Sequence, residues 1–441
     1  MTANTADLRQ KYPELFGGFR APALAPLLGA ALVVAYLAYA VWFFGVPGVV
    51  ASAHWERFGI YLSQWISYDI QPSFRLDQQQ ITPLYPRFSA LGNDPHPDWV
   101  TVNADGSWTV AVDAGRQVRF SKVEATISNG GANADVQLRN GLVHVVGTAP
   151  DWLTVYDDEV VADFGFVGEI RVSADRVKVR RRFLGWPNFA FDTDSPFFGR
   201  PAGEVFGLIW AGPDLKPSVP NWQLAASNFW SNAQWQHGDI FVKLGQTLVM
   251  AFLGTLLGAV LAFPLAFLAA RNITPNAGLN WLLKRLFDFL RSVDMLIWAL
   301  FFTRAFGPGP LAGSAAIFLT ETGTLGKIYA EGLENIDNKP PEGVSSTGAH
   351  DVLVQRYGVL PQVVPVMVSQ TLYQWESNTR GATIIGAVGA GGIGLKLWEA
   401  MRTNSNWANV FYMVLLVLAV VFTFDALSGA IRSRLIGRRP D

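Results

Sequence analysis

Charge disappears from this chain in long blocks. No Asp, Glu, Lys or Arg lies between Arg20 and Glu56, between Lys243 and Arg271, between Arg356 and Glu376, or between Arg402 and Asp425. Each block holds at least 19 residues, and about 20 helical residues cross a bilayer. A Lys or Arg at the centre of such a helix costs roughly 2.5–3.5 kcal/mol, while each Leu, Ile or Val returns roughly 0.3–0.6. The blocks therefore read as membrane-crossing helices; buried helices of a soluble protein are the competing reading. Spans are predicted at 21–45, 244–270, 357–376 and 407–430. Two weaker ones, at 292–308 and 311–333, carry Asp294, Arg304, Glu321 and Lys327 and are separated by Gly307-Pro308-Gly309-Pro310. The charged helical stretch 279–291 is placed on the cytoplasmic face.

Residues 51–238 follow a different rhythm. Trp108–Val112 alternates, as does Asp135–Val145, where Asn140-Gly141 sits between two alternating arms. Both turn positions of such a hairpin want positive φ, which Asn and Gly accept. Val123–Ile127, Ile170–Val172 and Val177–Val179 also read as short strands. A β-rich domain is predicted, whose last fifty residues, rich in Pro, Trp and Asn, return irregularly to the bilayer.

Composition agrees with a membrane chain: half the residues are hydrophobic and only 16% are charged. The formal net charge of −1 hides an asymmetry. Residues 51–238 hold 15 Lys/Arg against 20 Asp/Glu, a net of −5. The rest holds 19 against 15, a net of +4. Short segments set orientation. Arg9, Lys11 and Arg20 precede the first span, and Arg432, Arg434, Arg438 and Arg439 follow the last. Both termini are expected in the cytoplasm, with six spans between them. Ala51-Ser52-Ala53 resembles a signal cleavage site, but the apolar run Ala21–Val50 is twice the usual signal length, so a retained anchor is expected. There is no cysteine, which removes disulfides, thiolate catalysis and cysteine metal sites.

The most informative polar segment is 335–356. It contains Pro341, Glu342, Gly343, Val344, Ser345, Ser346, Thr347 and Gly348; after nine intervening residues come Gly358-Val359-Leu360-Pro361. Proline and an acid suit a first helical turn. A short helix starting at Pro341 or Glu342, a turn at Gly348 and a second helix would make a rigid L-shaped knob; an ordinary loop is the plainer alternative. Glu342, Gly348 and Leu360-Pro361 resemble the EAA loop of ATP-binding-cassette importer permeases. The match is partial: Gly343 and Val344 replace two alanines, and Gly358 replaces the usual isoleucine. Tyr357–Gln362, Glu376-Ser377-Asn378-Thr379-Arg380, Val388–Gly394 and Leu397–Ala400 are similar to the phosphonate-importer permease subunit. The Gly-Ala-Gly-Gly element alone is shared with methionine-importer permeases. The resemblance covers residues 240–435 well, the first span loosely, and 60–200 not at all.

The resemblance implies partners: a second permease chain, identical to this one or a different one, two copies of a cytoplasmic ATPase and an extracytoplasmic binding protein. Glu342, Gly343, Ser345, Thr347, Gly348, Leu360 and Pro361 would couple to the ATPase. This chain has no phosphate loop; Gly326-Lys327 is followed by Ile328 and lacks the earlier glycine. No enzymatic activity and no cofactor are expected here, with ATP and Mg bound on the partner.

Glu376 and Arg380 are four apart with the carboxylate first, the better order for a helical pair. Membrane-depth charges usually face a cavity or each other; an interfacial pair at a helix end is the alternative. Gly386, Ala390 and Gly394 are spaced to leave one helical face nearly flat. Gly389, Gly391 and Gly392 fill other faces, and each glycine costs a helix about 1 kcal/mol against alanine. The excess predicts a bend or re-entrant element lining the translocation path, with backbone N–H groups free to meet an anion. Asn378 and Arg304 complete the candidate path, although for Arg304 snorkelling to the interface is the stronger reading. The five histidines lack metal-ligand spacing. Asp157-Asp158-Glu159 reads as a solvated turn and Arg180-Arg181-Arg182 as a solvated strand end. The acidic outer domain argues against nucleic acid.

The expected architecture is an all-α polytopic membrane protein with an inserted β-rich extracytoplasmic domain. It divides into a tail (1–20), a first membrane helix (21–50), the insertion (51–238) and a permease core (239–441). The expected role is a multi-pass inner-membrane permease subunit importing phosphonate, phosphate or phosphite by alternating access. Its rivals are an ion-coupled transporter or channel using Asp294, Glu321, Glu376 and Arg380, and an anchored binding or sensor module acting through 51–238.

Overall fold

The computed structural model of the protein describes residues 24–53, 58–59, 62–78, 80–86, 89–92, 95–139, 142–403 and 407–436. The N-terminal tail with Arg9, Lys11 and Arg20, the Asn140-Gly141 turn, and Arg438 and Arg439 lie outside the described residues. The chain divides into Met1–Ile60 and Tyr61–Asp441. In the smaller unit, helix α1 (Leu24–Phe43) is apolar throughout and 20 residues long. Gly45, at φ 58°, breaks it from α2 (Val46–Ser52).

In the larger unit, the alternating segments form two antiparallel sheets. Strands β4 (Val100–Val102), β5 (Trp108–Ala111), β6 (Arg116–Phe120), β7 (Glu124–Asn129), β8 (Ala132–Arg139) and β9 (Leu142–Val146) follow one another as a meander. The arms either side of Asn140-Gly141 pair as expected, Arg139 opposite Leu142. The second sheet runs β10 (Leu153–Val155), β11 (Glu159–Asp163), β12 (Gly168–Ser173), β13 (Arg176–Leu184), β2 (Ser73–Arg75), β3 (Pro83–Leu84), with β1 (Ser67–Ile70) also on β13. Alternate residues of both sheets, among them Val110, Val118, Ile127, Ile170, Val172 and Val177, meet in one core.

Two expectations for this region are corrected. Arg180–Arg182 is not a solvated strand end. The Arg182 side chain is 1% exposed and grips Asp69 with two hydrogen bonds, of 2.6 and 3.1 Å. Arg180 pairs with Glu169 at 3.1 Å, and Arg181 stacks on Trp99 and Phe183. The return to the helical part is irregular only in part: helices α3 (Ala202–Ala211) and α4 (Asn221–Trp230) interrupt its turns and coil.

The helical part is built on α5 (His237–Ala269), which starts seven residues before the charge-free block, and on α8 (Pro310–Glu334). They pack closely because Gly254 and Gly258, one turn apart on α5, lie against Ile317 and Glu321; a Cβ on either glycine would fall within 2.8 Å of those side chains. Between them come α6 (Ala277–Ser292) and α7 (Met295–Phe306). At 12 residues, α7 rises about 18 Å, too short for a hydrocarbon layer of about 30 Å. The stretch 292–308 is therefore not a span by itself. The stretch 279–291 packs along α8. Lys284 pairs with Glu334 and Asp288 with Lys327, both at 2.7 Å, while Leu290 abuts Gly323. These contacts climb α8 from its end towards its start, so α6 and α7 run in series antiparallel to it, broken where Asp294 caps α7. The remaining helices are α9 (Lys339–Ser345), α10 (Asp351–Val354), α11 (Leu360–Ile385), α12 (Gly392–Thr403) and α13 (Trp407–Ile436). Four segments among the described residues are long and apolar enough to cross a membrane: Pro26–Phe43, His237–Ala269, Asp351–Ala390 and Trp407–Arg434.

Candidate functional site

The polar segment folds as a knob. Helix α9 begins at Lys339, two residues earlier than expected, with proline in its first turn. Gly348 turns the chain at φ 79° with open space where a Cβ would stand. Then α10 leads through a π-helical turn, Gln355–Val359, into α11, which opens with Leu360-Pro361. Glu342, Gly343, Ser345, Thr347, Gly348 and Pro361 are exposed, and Leu360 is half-buried. The knob holds its own shape: the Ser346 and Thr347 hydroxyls donate to the carbonyls of Gly343 and Val344 at 2.8 and 2.7 Å. Gly358, where the resemblance led us to expect isoleucine, has a physical reason. Pro341 of α9 rests on it, and a Cβ there would lie 2.7 Å from the Pro341 Cα. Gln362 closes the base. Its Oε1 accepts from the Asp337 N–H at 3.1 Å, and its Nε2 donates to the carbonyls of Asp337 (3.2 Å) and Gly358 (2.7 Å). Sequence pattern alone did not single out Gln362.

The glycine-rich stretch is a true break. Helix α11 passes into a π-helical turn, Gly386–Ala390, and then reverses. Gly389, Gly391 and Gly392 have φ of 104°, 82° and 70°, a region that side chains disfavour. Gly386 and Gly394 therefore do not form the flat helical face their spacing suggested. They meet across the bend: a Cβ on Gly386 would lie 2.5 Å from the Gly391 carbonyl oxygen, and one on Gly394 would strike the Thr383 carbonyl. The expectation of free N–H groups along an open path is also corrected for the bend's second half. Gly391–Gly394 are buried, and the Ile393 N–H donates to Thr247 Oγ1 of α5 at 2.9 Å. The Gly389 carbonyl accepts from the Gly309 N–H at 3.1 Å, tying the bend to the α7–α8 turn.

The charged residues are arranged differently from the expected helical pair. Glu376 faces Arg432 of α13 at 3.2 Å, with their side chains 12% and 29% exposed. Arg380 is exposed, as is Arg304 on α7. Asn378 is buried and donates to Thr255 Oγ1 of α5 at 2.9 Å. One turn further along α5, Gly258 packs on Glu321, a buried carboxylate whose Oε2 has no hydrogen-bond partner. A cavity of about 800 Å³ with a mixed polar and apolar lining opens where the sandwich meets the helices, with Asp69 and Arg180 on one wall and Lys396 and Glu399 of α12 on the other.

Residues 262–437 match the family described as binding-protein-dependent transport system inner membrane component. The phosphite transport system permease protein PtxC of Stutzerimonas stutzeri is 39% identical over 186 residues, which cover 42% of this chain and 67% of the relative. The chain belongs to this family. The phosphate-import permease protein PhnE of Mycolicibacterium smegmatis is 38% identical over 198 residues, or 45% of this chain, and the chain spans 37% of that relative's length. A chain of the inward-facing MetNI methionine ABC transporter overlays with a TM-score of 0.41 at 21% identity, covering 44% of this chain and 95% of that one. The family match begins inside α5, so the knob, the bend, Glu376 and Arg432 lie within the inner-membrane component and the two sheets lie before it.

Proposed function

We propose that this chain is the permease subunit of an ATP-driven importer for a phosphorus oxyanion: phosphonate, phosphate or phosphite. The observation that carries the reading is the knob 339–361, self-braced, exposed and clamped to α11, in a member of this transport family. Glu342, Gly343, Ser345, Thr347 and Gly348 form the surface an ATPase grips, and Leu360-Pro361 passes the motion to α11. The names of the phosphate-import and phosphite relatives support the substrate class.

In this reading two copies of the chain carry two ATPase subunits, which bind ATP and Mg, and an extracytoplasmic binding protein delivers the cargo. Closure of the ATPases moves the knob, α11 follows, and the bend at Gly386–Gly394 shifts against Thr247 and Pro310. The cavity above α12 serves as vestibule. Arg380 and Arg304 are the cations offered to the oxyanion along the path, with Glu376 and Asn378 completing it. The termini face the cytoplasm, and α6 with α7 makes one broken crossing, which keeps the number of crossings even. The strands 67–184 belong to an extracytoplasmic insertion within 51–238.

The test is co-purification from cells expressing the chain with its cassette ATPase. The Gly348→Val variant places a branched side chain at φ 79°, where it is strained. It should remain in the membrane and lose the ATPase. Retention of the ATPase, or uptake of labelled phosphite or phosphonate by vesicles that hold this chain alone, would overturn the reading.

A further inference from the structure

Helices α3 and α4 lie between the sandwich and α5 and have a small core of their own: Val205 and Leu224 are buried there, with Leu208 packed against them. That uses one face of each helix. The other face of α3 is also apolar. Phe206 and Trp210, one turn apart, are 66% and 72% exposed, and their rings lie 6.1 Å from each other. On α4, Trp222, Ala226 and Trp230 make an exposed stripe at four-residue spacing. A helix apolar on both faces is normally buried or in contact with lipid. At 10 residues each, these helices are about 15 Å long and do not reach across a bilayer.

Their depth is set by α5. Trp230 packs over Gly238, where a Cβ would lie 2.6 Å from its Nε1, and stacks on Phe241 at 6.1 Å. Both partners belong to the first turns of a helix long and apolar enough to cross the membrane. The exposed apolar surface continues from Trp230 through Phe241 and Val242 to Val249, Phe252 and Leu253. Trp side chains favour the membrane–water boundary, where an apolar ring can keep its N–H wet. The exposed Lys216 in the α3–α4 connection is suited to headgroup phosphates.

We propose that α3 and α4 form a monotopic hairpin lying in the bilayer interface at the N-terminal end of α5, with Phe206, Trp210, Trp222 and Trp230 inserted among lipid headgroups and upper acyl chains. The hairpin fixes the height of the sandwich over the membrane. Its partner is the lipid surface rather than a protein, and the inference does not depend on which solute the chain carries.

The absence of cysteine makes the test direct. Single cysteines replace Phe206, Trp210, Trp222 and Ala226 in the full chain, each is spin-labelled, and the protein is placed in phosphatidylcholine nanodiscs. Collision with oxygen, which concentrates in lipid, is compared with collision with an aqueous nickel chelate. Val155→Cys on β10 and Val249→Cys on α5 provide the water and lipid references; both positions are exposed. Labels on α3 and α4 should fall between the references, on the lipid side of Val155. Labels indistinguishable from Val155 would overturn the proposal and make the face a docking surface for a soluble protein. Labels reached by neither probe would also overturn it, since a second protein chain would then cover the hairpin. Four positions on two helices guard against one substitution that perturbs folding.

Discussion

At the scale of single residues, the charges of the helical part are committed in ways their spacing does not announce. Glu376 is four residues from Arg380, yet its carboxylate goes to Arg432, 56 positions away. A hydrogen bond to a charged group is worth about 1.5–3 kcal/mol, and this pair is shielded on the Glu376 side. Replacing Glu376 with Gln should lower the thermal stability of the detergent-solubilised chain by that order. A double-mutant cycle with Arg432→Gln should show coupling between the two positions, and the equivalent cycle with Arg380→Gln should show none. Arg380→Gln should leave the melting temperature alone and, if the proposed path is right, lower uptake, since this exposed guanidinium is offered there to the cargo rather than to packing. If the 376–380 cycle carries the coupling instead, the α11–α13 contact is not what holds Glu376.

At the scale of elements, the knob shows why a departure from a familiar motif can be a requirement. Gly358 leaves room for Pro341, and the freed Gly358 carbonyl is taken up by Gln362. Restoring isoleucine by Gly358→Ile should push α9 off its seat, because the first obstacle is backbone at 2.7 Å and cannot rotate away. The variant should still insert, and should bind the ATPase more weakly than the unchanged chain in a pull-down. Gln362→Leu should leave ATPase binding nearly intact but raise the ATP hydrolysed per solute moved, because the knob would keep its outer surface and lose its clamp. Proline and glycine punctuate the backbone locally, so the knob and the bend were legible from residue type. What the bend rests on was not: Thr247 lies 146 residues from Ile393, and no local pattern links them. The α6–α7 break was hidden for a related reason. Lys284 and Asp288 give no local sign of their partners, Glu334 and Lys327, which sit on another helix. Arg180–Arg182 misled in the same way, with Asp69 113 positions from Arg182.

At the scale of the whole larger unit, the question is whether the sandwich is a tethered accessory or a rigid part of the helical body. The junction argues for rigidity. His237, fully buried at the start of α5, stacks on Phe229 at 3.9 Å between ring centroids. Its Nε2–H donates to the Phe189 carbonyl at 2.7 Å, which leaves Nδ1 to accept from the Tyr412 hydroxyl of α13 at 2.9 Å. Trp235 donates to the Pro187 carbonyl at 2.8 Å, and Trp186 to the Trp65 carbonyl at 2.9 Å. The segment leaving β13 is thereby fastened to the heads of two helices, so a load on the sandwich reaches α5 and α13 without passing through a flexible linker. His237→Phe keeps the ring stack but orphans the Phe189 carbonyl and the Tyr412 hydroxyl, at about 1–3 kcal/mol for each buried group. Hydrogen exchange should rise around 186–191 and 408–413, while the strands between 108 and 183 keep their protection because their core is separate. Exchange rising through the strands as well would mean that sandwich and helices unfold as one unit. No change at either segment would mean the imidazole is not the fastening, and the aromatic packing of Trp186, Phe189 and Trp235 would have to carry the load alone.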